Sequence, residues 1–187
     1  MILFINACVR GSSRTKRLAD ALISRFDEET VEVKLDNIDF PKVNEAFLTV
    51  RDALISKGEF SSPLFDLARQ FANADRIVIA APYWDMSFPA ALKQYFEQIN
   101  VLGITFDYTD DGYPVGLAKA RELYYITTAG GSFVPDDYGF NYVKALSENF
   151  YGIGRVRLIG VYGLDIRGAD AEAIIAEKLS AIERGDF

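Results

Sequence analysis

Histidine is absent from the 187-residue chain. Its absence excludes Ser-His-Asp and Cys-His nucleophiles, metal sites that need imidazole ligands, and proton transfer by imidazole. We therefore predict no metal site. If the chain is an enzyme, its chemistry must come from a bound cofactor, or from carboxylates, lysine, tyrosine or water.

Cysteine and long apolar runs are also scarce. Cys8 is the single cysteine, so the chain can form neither an internal disulfide nor a CxxC redox pair. No segment approaches the roughly 20 apolar residues of a membrane span. The N-terminal apolar run ends after a few residues at Asn6, which is too short for a signal peptide. These features predict a cytoplasmic protein with no membrane segment.

Positive charge is in deficit: 20 Lys and Arg against 27 Asp and Glu give a net charge of −7. This charge repels phosphate polymers and anionic bilayers, so we expect neither nucleic acid nor membrane as a partner. A small anion can still bind at one local basic site. Half of the residues are apolar and a quarter are charged, which is typical of a folded protein. The length predicts a single α/β domain over residues 1–187.

Strand and helix patterns alternate along the chain without an internal repeat, which predicts a doubly wound parallel sheet. Segment 103–118 interrupts the alternation, and its Asp-Gly pair predicts a small hairpin. The predicted strands are 2–7, 30–35, 76–81, 122–127 and 157–161. The predicted helices are 15–27, 44–57, 63–74, 88–102, one near 138–150, and one from 169 to about 183.

Ligands of such sheets bind beyond the carboxyl ends of the strands, so the loops after the first, third and fourth strands are the informative ones. In the first loop the first four charges of the chain are all positive, and no acid precedes Asp20. Gly11 is its only glycine, so neither a dinucleotide fingerprint nor a P-loop is present. The four basic residues are Arg10, Arg14, Lys16 and Arg17.

Hydroxyl side chains stand where the first helix begins: Ser12, Ser13 and Thr15. Hydroxyls and backbone N–H groups at a helix N-terminus suit a terminal phosphate. The alternative is that Ser13 or Thr15 only caps the helix, with the basic residues in solvent.

The second loop carries the only tryptophan of the chain, next to a tyrosine, and is stiffened by Pro82 and Pro89. A rigid loop of this kind suits a flat heteroaromatic ligand. Alternatively, Tyr83 and Trp84 cover the end of the sheet while Asp85 or Ser87 caps the next helix. In the third loop, residues 127–133, adjacent glycines allow a ring to approach the backbone closely, or only form a turn.

Three segments together carry a family resemblance: Pro82-x6-Pro89-x2-Leu92-Lys93-x-Tyr95-Phe96, then "GITFDYT", then "TTAGG". Over roughly residues 1–165 the chain resembles the flavodoxin-like NAD(P)H-dependent oxidoreductases, the family of FMN-dependent azoreductases and NAD(P)H:quinone reductases. The resemblance implies a flavodoxin-like five-stranded parallel sheet of order 2-1-3-4-5 with helices on both faces. It also implies a homodimer that passes hydride from NADH or NADPH through FMN to a quinone, azo compound or similar small aromatic acceptor by a ping-pong mechanism.

The resemblance also assigns roles to residues. It implies that Tyr108 is catalytic and reaches the site of the partner subunit. The phosphate of FMN would contact Ser13, Arg14 and Thr15. The flavin ring would lie against Pro82, Tyr83, Trp84, Asp85 and Met86, and its polar rim against Thr128, Ala129, Gly130 and Gly131.

The chain departs from its relatives at several positions. Asp85 stands where azoreductases typically have a neutral residue, no hydroxyl lies near Ala7 and Cys8, and the histidine that some relatives place beside the substrate is missing. A flavodoxin-type FMN electron carrier is the competing interpretation, and a flavin-free binding domain is a third. Segment 103–118 favours the reductase, because a monomeric carrier does not need it.

Overall fold

The computed structural model describes all residues from 1 to 187. Its centre is a five-stranded sheet in which every neighbouring pair of strands is parallel. The strand order is β2-β1-β3-β6-β7, which confirms the flavodoxin-like order, because the two remaining strands form a separate hairpin. The strands are β1 (Ile2–Asn6), β2 (Thr30–Lys34), β3 (Arg76–Ala80), β4 (Phe106–Tyr108), β5 (Pro114–Gly116), β6 (Glu122–Thr128) and β7 (Arg155–Val161).

Helices cover both faces of this sheet, and each face has its own apolar core. Leu18 and Leu22 of the first helix and Ile175 of the last belong to one core, whereas Phe71, Phe96 and other residues of the middle helices belong to the other. Burial from both sides explains the continuous apolar runs of the inner strands. The helices are α1 (Arg14–Ile23), α2 (Glu45–Ser56), α3 (Asp66–Asn73), α4 (Ala90–Ile99), α5 (Phe140–Leu146) and α6 (Ala171–Arg184).

Several predicted boundaries were wrong. The helix predicted over 88–102 is shorter at both ends, because α4 starts after Pro89 and ends at Ile99. The buried Thr105 hydroxyl explains that end: it donates to the Ile99 carbonyl at 2.6 Å and accepts from the Val101 N–H at 3.2 Å. Thr105 lies beyond the end of the helix, so the spacing of apolar residues within the helix does not reveal this contact.

Other corrections concern irregular turns. The helix predicted over 15–27 ends already at Ile23. The one predicted over 63–74 divides into a 3₁₀ turn, Pro63–Phe65, and α3. The region near 138–150 holds α5 and then a π-helical turn, Ser147–Tyr151, which Gly152 ends at a φ of 74°.

The predicted hairpin is present: β4 and β5 pair antiparallel. It packs on its own chain, because the ring of Phe106 lies 4.8 Å from that of Phe150 and is nearly buried. Its outer side leaves Tyr108, Tyr113 and Leu117 exposed. Among the helices, none has the length and apolar character that a membrane crossing requires.

At the amino ends of the strands, the Glu122 carboxylate accepts hydrogen bonds from Arg76 Nε at 2.8 Å and from the Tyr124 hydroxyl at 3.1 Å. Arg155, with which β7 starts two residues earlier than predicted, lies 3.5 Å away across the β6–β7 pair. Burial by itself would raise the pKa of Glu122, but hydrogen bonding and charge from Arg76 outweigh it and lower that pKa below 4.5.

A carboxyl group whose pKa is lowered in the folded state stabilises the fold fully when the pH is above its pKa in the unfolded chain. This stabilisation is lost as the pH falls through the pKa in the folded state. We expect Glu122→Gln to lower the free energy of unfolding by about 2 kcal/mol at neutral pH. The difference from wild type should shrink as the pH falls through the ordinary carboxyl range towards the lowered pKa of Glu122. Urea denaturation across this range measures it. Glu177→Gln, which removes an exposed acid without an ion pair, is the control; a pH-independent difference would contradict the account.

Candidate ligand-binding site

A cavity of about 410 Å³ opens at the carboxyl ends of β1, β3, β6 and β7. This is the edge where a doubly wound sheet binds its ligands, and the volume is within the range of small-molecule sites. Nine of the twelve residues predicted to contact a cofactor line it: Ser13, Arg14, Thr15, Pro82, Tyr83, Trp84, Thr128, Ala129 and Gly130.

The structure leaves Asp85, Met86 and Gly131 outside this lining, and it adds five residues that were not predicted. The loop after β7 was overlooked, although the rule about carboxyl ends applies to the edge strand as well. Arg10 and Ser12 belong to the first loop, where the sequence indicates a positive charge and a hydroxyl but does not predict that either residue contacts the cofactor. The additional residues are Val9, Arg10, Ser12, Leu164 and Asp165.

The two hydroxyls at the start of α1 have different roles. Ser13 is the N-cap, and its Oγ accepts from the Lys16 N–H at 3.3 Å, so the capping alternative is correct for this residue. It is wrong for Thr15, which is buried and places its Oγ1 2.7 Å from Thr128 Oγ1. That hydrogen bond ties the first loop to the third.

Backbone donors at the same place lack partners. No protein acceptor pairs with the N–H groups of Ser12, Arg14 and Thr15, and the latter two belong to the first helical turn, whose N–H groups cannot bond within the helix. Together with the positive end of the helix dipole, these donors form a site for an anion.

Most of the positive charge near this helix is already paired. Arg14 Nη1 lies 3.0 Å from Asp165, Lys16 Nζ lies 2.7 Å from Asp20, and Arg17 contacts Glu172. Hydrogen bonding to Asp20 raises the pKa of Lys16. Arg10 forms no ion pair, so it is the one basic side chain of this group without an acidic partner.

The loop after β3 makes a tight turn at Trp84–Ser87. These two residues exchange backbone hydrogen bonds of 3.0 and 2.7 Å. The central residues Asp85 and Met86 have φ values of 50° and 65°, as in a two-residue hairpin turn of type I′. Neither Asp85 nor Ser87 caps α4, so that prediction was wrong: Pro89 precedes the helix, and the Ser87 hydroxyl donates to the Tyr138 carbonyl.

Tyr83 lines the cavity and carries an unpaired hydroxyl. Its oxygen is buried and has no hydrogen-bond partner in the protein. Burial, and then the nearby charge of Asp136, raise the pKa of this phenol, so it stays protonated and can donate. A buried hydroxyl normally has a partner, so this donor is free to bond a water or a ligand within its reach.

Exposed apolar side chains stand on the loops that follow β3 and β6, and one of them, Trp84, lines the cavity. Trp84 and Met86 stand on one loop, and Phe133 and Tyr138 on the neighbouring one that Ser87 contacts. Tyr108 is 50% exposed and stacks edge-on against Phe106 in the hairpin. Within one chain it does not line the cavity, so any role there requires a second subunit.

Comparison with known proteins agrees with this architecture. A family model described as flavodoxin-like fold matches residues 1–184. An FMN-dependent NADH:quinone oxidoreductase of Lachnoclostridium phytofermentans is 37% identical over 189 residues, covering 94% of this chain and 92% of the relative. One from Clostridium perfringens is 34% identical over 185 residues, with coverage of 94% and 92%.

Among solved structures, an azoreductase from Bacillus anthracis superposes with a TM-score of 0.83, at 24% identity, over 99% of this chain and 97% of the other. At this identity the likeness shows the fold. The two quinone oxidoreductases exceed 30% identity over nearly the full length of both chains. The protein therefore belongs to the flavodoxin-like fold family, in the branch of the FMN-dependent NADH:quinone oxidoreductases.

Proposed function

We propose that the protein is an FMN-dependent oxidoreductase that transfers hydride from NADH or NADPH to a quinone, an azo compound or a similar flat acceptor. The observation that carries the proposal is the lining of one cavity. Unpaired N–H groups and hydroxyls at the N-terminus of α1 share it with an aromatic turn and an unpaired phenol. FMN, when bound, accepts and donates the hydride.

The start of α1 fits the phosphate. The N–H groups of Ser12, Arg14 and Thr15 donate without a competing protein acceptor, and Arg10 supplies a free positive charge. Whichever of the Thr15 and Thr128 hydroxyls accepts their mutual bond keeps its own hydrogen for the ligand. Ser13, as the N-cap, holds the loop in place.

The other loops fit the flavin ring. Pro82, Tyr83 and Trp84 offer a stiff apolar side, and the Tyr83 hydroxyl can donate to a polar edge. The turn residues Asp85 and Met86, next to the lining residue Trp84, leave their backbone N–H groups unpaired. Across the cavity, Thr128, Ala129 and Gly130 line the wall, and Gly131 continues it, so these backbones can approach the rim of the ring.

The first test is cofactor selectivity. We expect FMN to bind in about a one-to-one ratio and more tightly than FAD, because the cavity ends at a helix N-terminus suited to a terminal phosphate. Quenching of flavin fluorescence on titration measures both affinities. Tighter binding of FAD, or no binding of either flavin, would contradict the proposal.

Turnover separates the reductase from a flavodoxin-type electron carrier. A reductase loaded with FMN oxidises NADH or NADPH in the presence of a quinone. A ping-pong mechanism gives parallel lines in double-reciprocal plots of the rate against one substrate at several fixed concentrations of the other. The exposed apolar side chains on the loops after β3 and β6 support this interpretation, because they offer a surface to flat partners. A carrier would bind FMN and show no turnover.

We further propose a homodimer in which the hairpin of one subunit covers the cavity of the other. The supporting observation is the exposed apolar side of that hairpin, a feature typical of interfaces. Tyr108→Ala should then lower kcat/KM for quinones about tenfold or more while FMN affinity changes little. Val50→Ala, which removes an apolar side chain that is 57% exposed on α2 and outside the hairpin, is the control. An active monomer by light scattering, or unchanged kinetics in Tyr108→Ala, would refute the arrangement.

A further inference from the structure

Asp165 is the only acidic residue in the cavity lining. Three backbone hydrogen bonds hold its segment against the third loop: Gly163 donates to Gly131, Leu164 to Ala129 and Asp165 to Gly130, the last at 2.9 Å. The Asp165 carboxylate lies directly over Gly130, within 3.0 Å of where a Cβ would stand. The backbone of Asp165 is therefore held at the wall by the fold.

This carboxylate pairs with Arg14, the first residue of α1. Asp165 Oδ1 lies 3.0 Å from Arg14 Nη1, and both side chains line the cavity. The partners of the next two basic residues, Asp20 and Glu172, lie outside the lining. Asp165 is thus the acid placed to neutralise a cavity guanidinium.

We propose that Asp165 is an internal competitor for the phosphate of FMN: it holds Arg14 in the free protein and must release it when the phosphate binds. The inference rests on the proposed function, because it requires a phosphate at the N-terminus of α1. A dianionic phosphate at that point attracts Arg14 and repels the Asp165 carboxylate. Asp165 therefore sets how tightly the site binds its cofactor.

The test compares FMN with riboflavin, which lacks the phosphate, by fluorescence quenching. Asp165→Asn should bind FMN about three- to tenfold more tightly than wild type at low ionic strength. The gain should shrink at high ionic strength, because salt screens exposed charges. Riboflavin affinity should stay the same. Glu172→Gln is the matched control, since it frees Arg17 by removing an equal charge outside the cavity, and it should give a smaller gain.

An unchanged ratio of FMN to riboflavin affinity in Asp165→Asn, or an equal gain in Glu172→Gln, would overturn the proposal. Weaker FMN binding in Asp165→Asn would overturn it too, because the carboxylate would then be a ligand of the flavin. In an Arg14→Gln background, Asp165→Asn should increase FMN affinity by a smaller factor than in the wild type. An equal increase there would overturn the proposal, because it would show that Asp165 only repels the phosphate and does not compete for Arg14. If wild-type protein binds neither flavin, the proposed function itself fails.

Discussion

Thr15→Val is expected to bind FMN about ten- to a hundredfold more weakly than wild type, because a hydrogen bond to a charged group contributes roughly 1.5–3 kcal/mol. Valine keeps the shape of threonine but removes the hydroxyl that bonds Thr128 at 2.7 Å. In the arrangement that we propose, Thr128 donates to Thr15 Oγ1 and the Thr15 hydroxyl donates to the phosphate, so valine removes a phosphate donor. The Thr128 hydroxyl is also left without its bond, so the free energy of unfolding should fall by about 1 kcal/mol.

Fluorescence titration and thermal unfolding of one preparation separate these two effects. Thr49→Val is the control, because Thr49 lies on α2 and its hydroxyl bonds only the Glu45 carbonyl of its own helix. If Thr15→Val loses stability and keeps wild-type FMN affinity, the bond to Thr128 is structural alone and the phosphate is held elsewhere.

The second large effect is expected for Gly116→Ala, which should lower the free energy of unfolding by about 3 kcal/mol. A Cβ at this position would stand within 3.0 Å of backbone atoms of Tyr151 and Gly152. Backbone atoms cannot yield as the end of a side chain can, so the hairpin must move away from the π-helical turn. FMN affinity should change less, because Gly116 does not line the cavity.

Gly154→Ala is the matched control, since a Cβ there meets nothing within 4 Å. Denaturant unfolding of the two variants gives the comparison. Wild-type stability in Gly116→Ala would show that the hairpin does not pack on its own chain as described. If the dimer forms through the hairpin, Gly116→Ala should also dissociate at higher protein concentration than Gly154→Ala.

The fold was predictable because buried strands and helix faces require apolar residues at regular positions in the sequence. The runs at 2–5 and 77–80 are apolar on both faces, as central parallel strands must be, and Leu18 and Leu22 mark the inner side of α1. The order of the strands came from the family resemblance, since alternation alone does not fix which strand lies at the edge.

Parts of the site were hidden because they depend on contacts distant in sequence. Asp165 lies 151 positions from Arg14, and no local pattern pairs them. The Thr15–Thr128 bond likewise joins two loops that only the sheet brings together. The turn at Asp85 and Met86 was missed for another reason: residues at positive φ are usually glycine or asparagine, and methionine gives no such signal.

The visible spectrum of the FMN-loaded protein under anaerobic conditions tests the central claim most directly. The account predicts that NADH or NADPH bleaches the absorption of the bound flavin, and that a quinone added afterwards restores it in full. A flavin that binds but stays oxidised in the presence of both nicotinamides would contradict the account and identify the protein as an electron carrier.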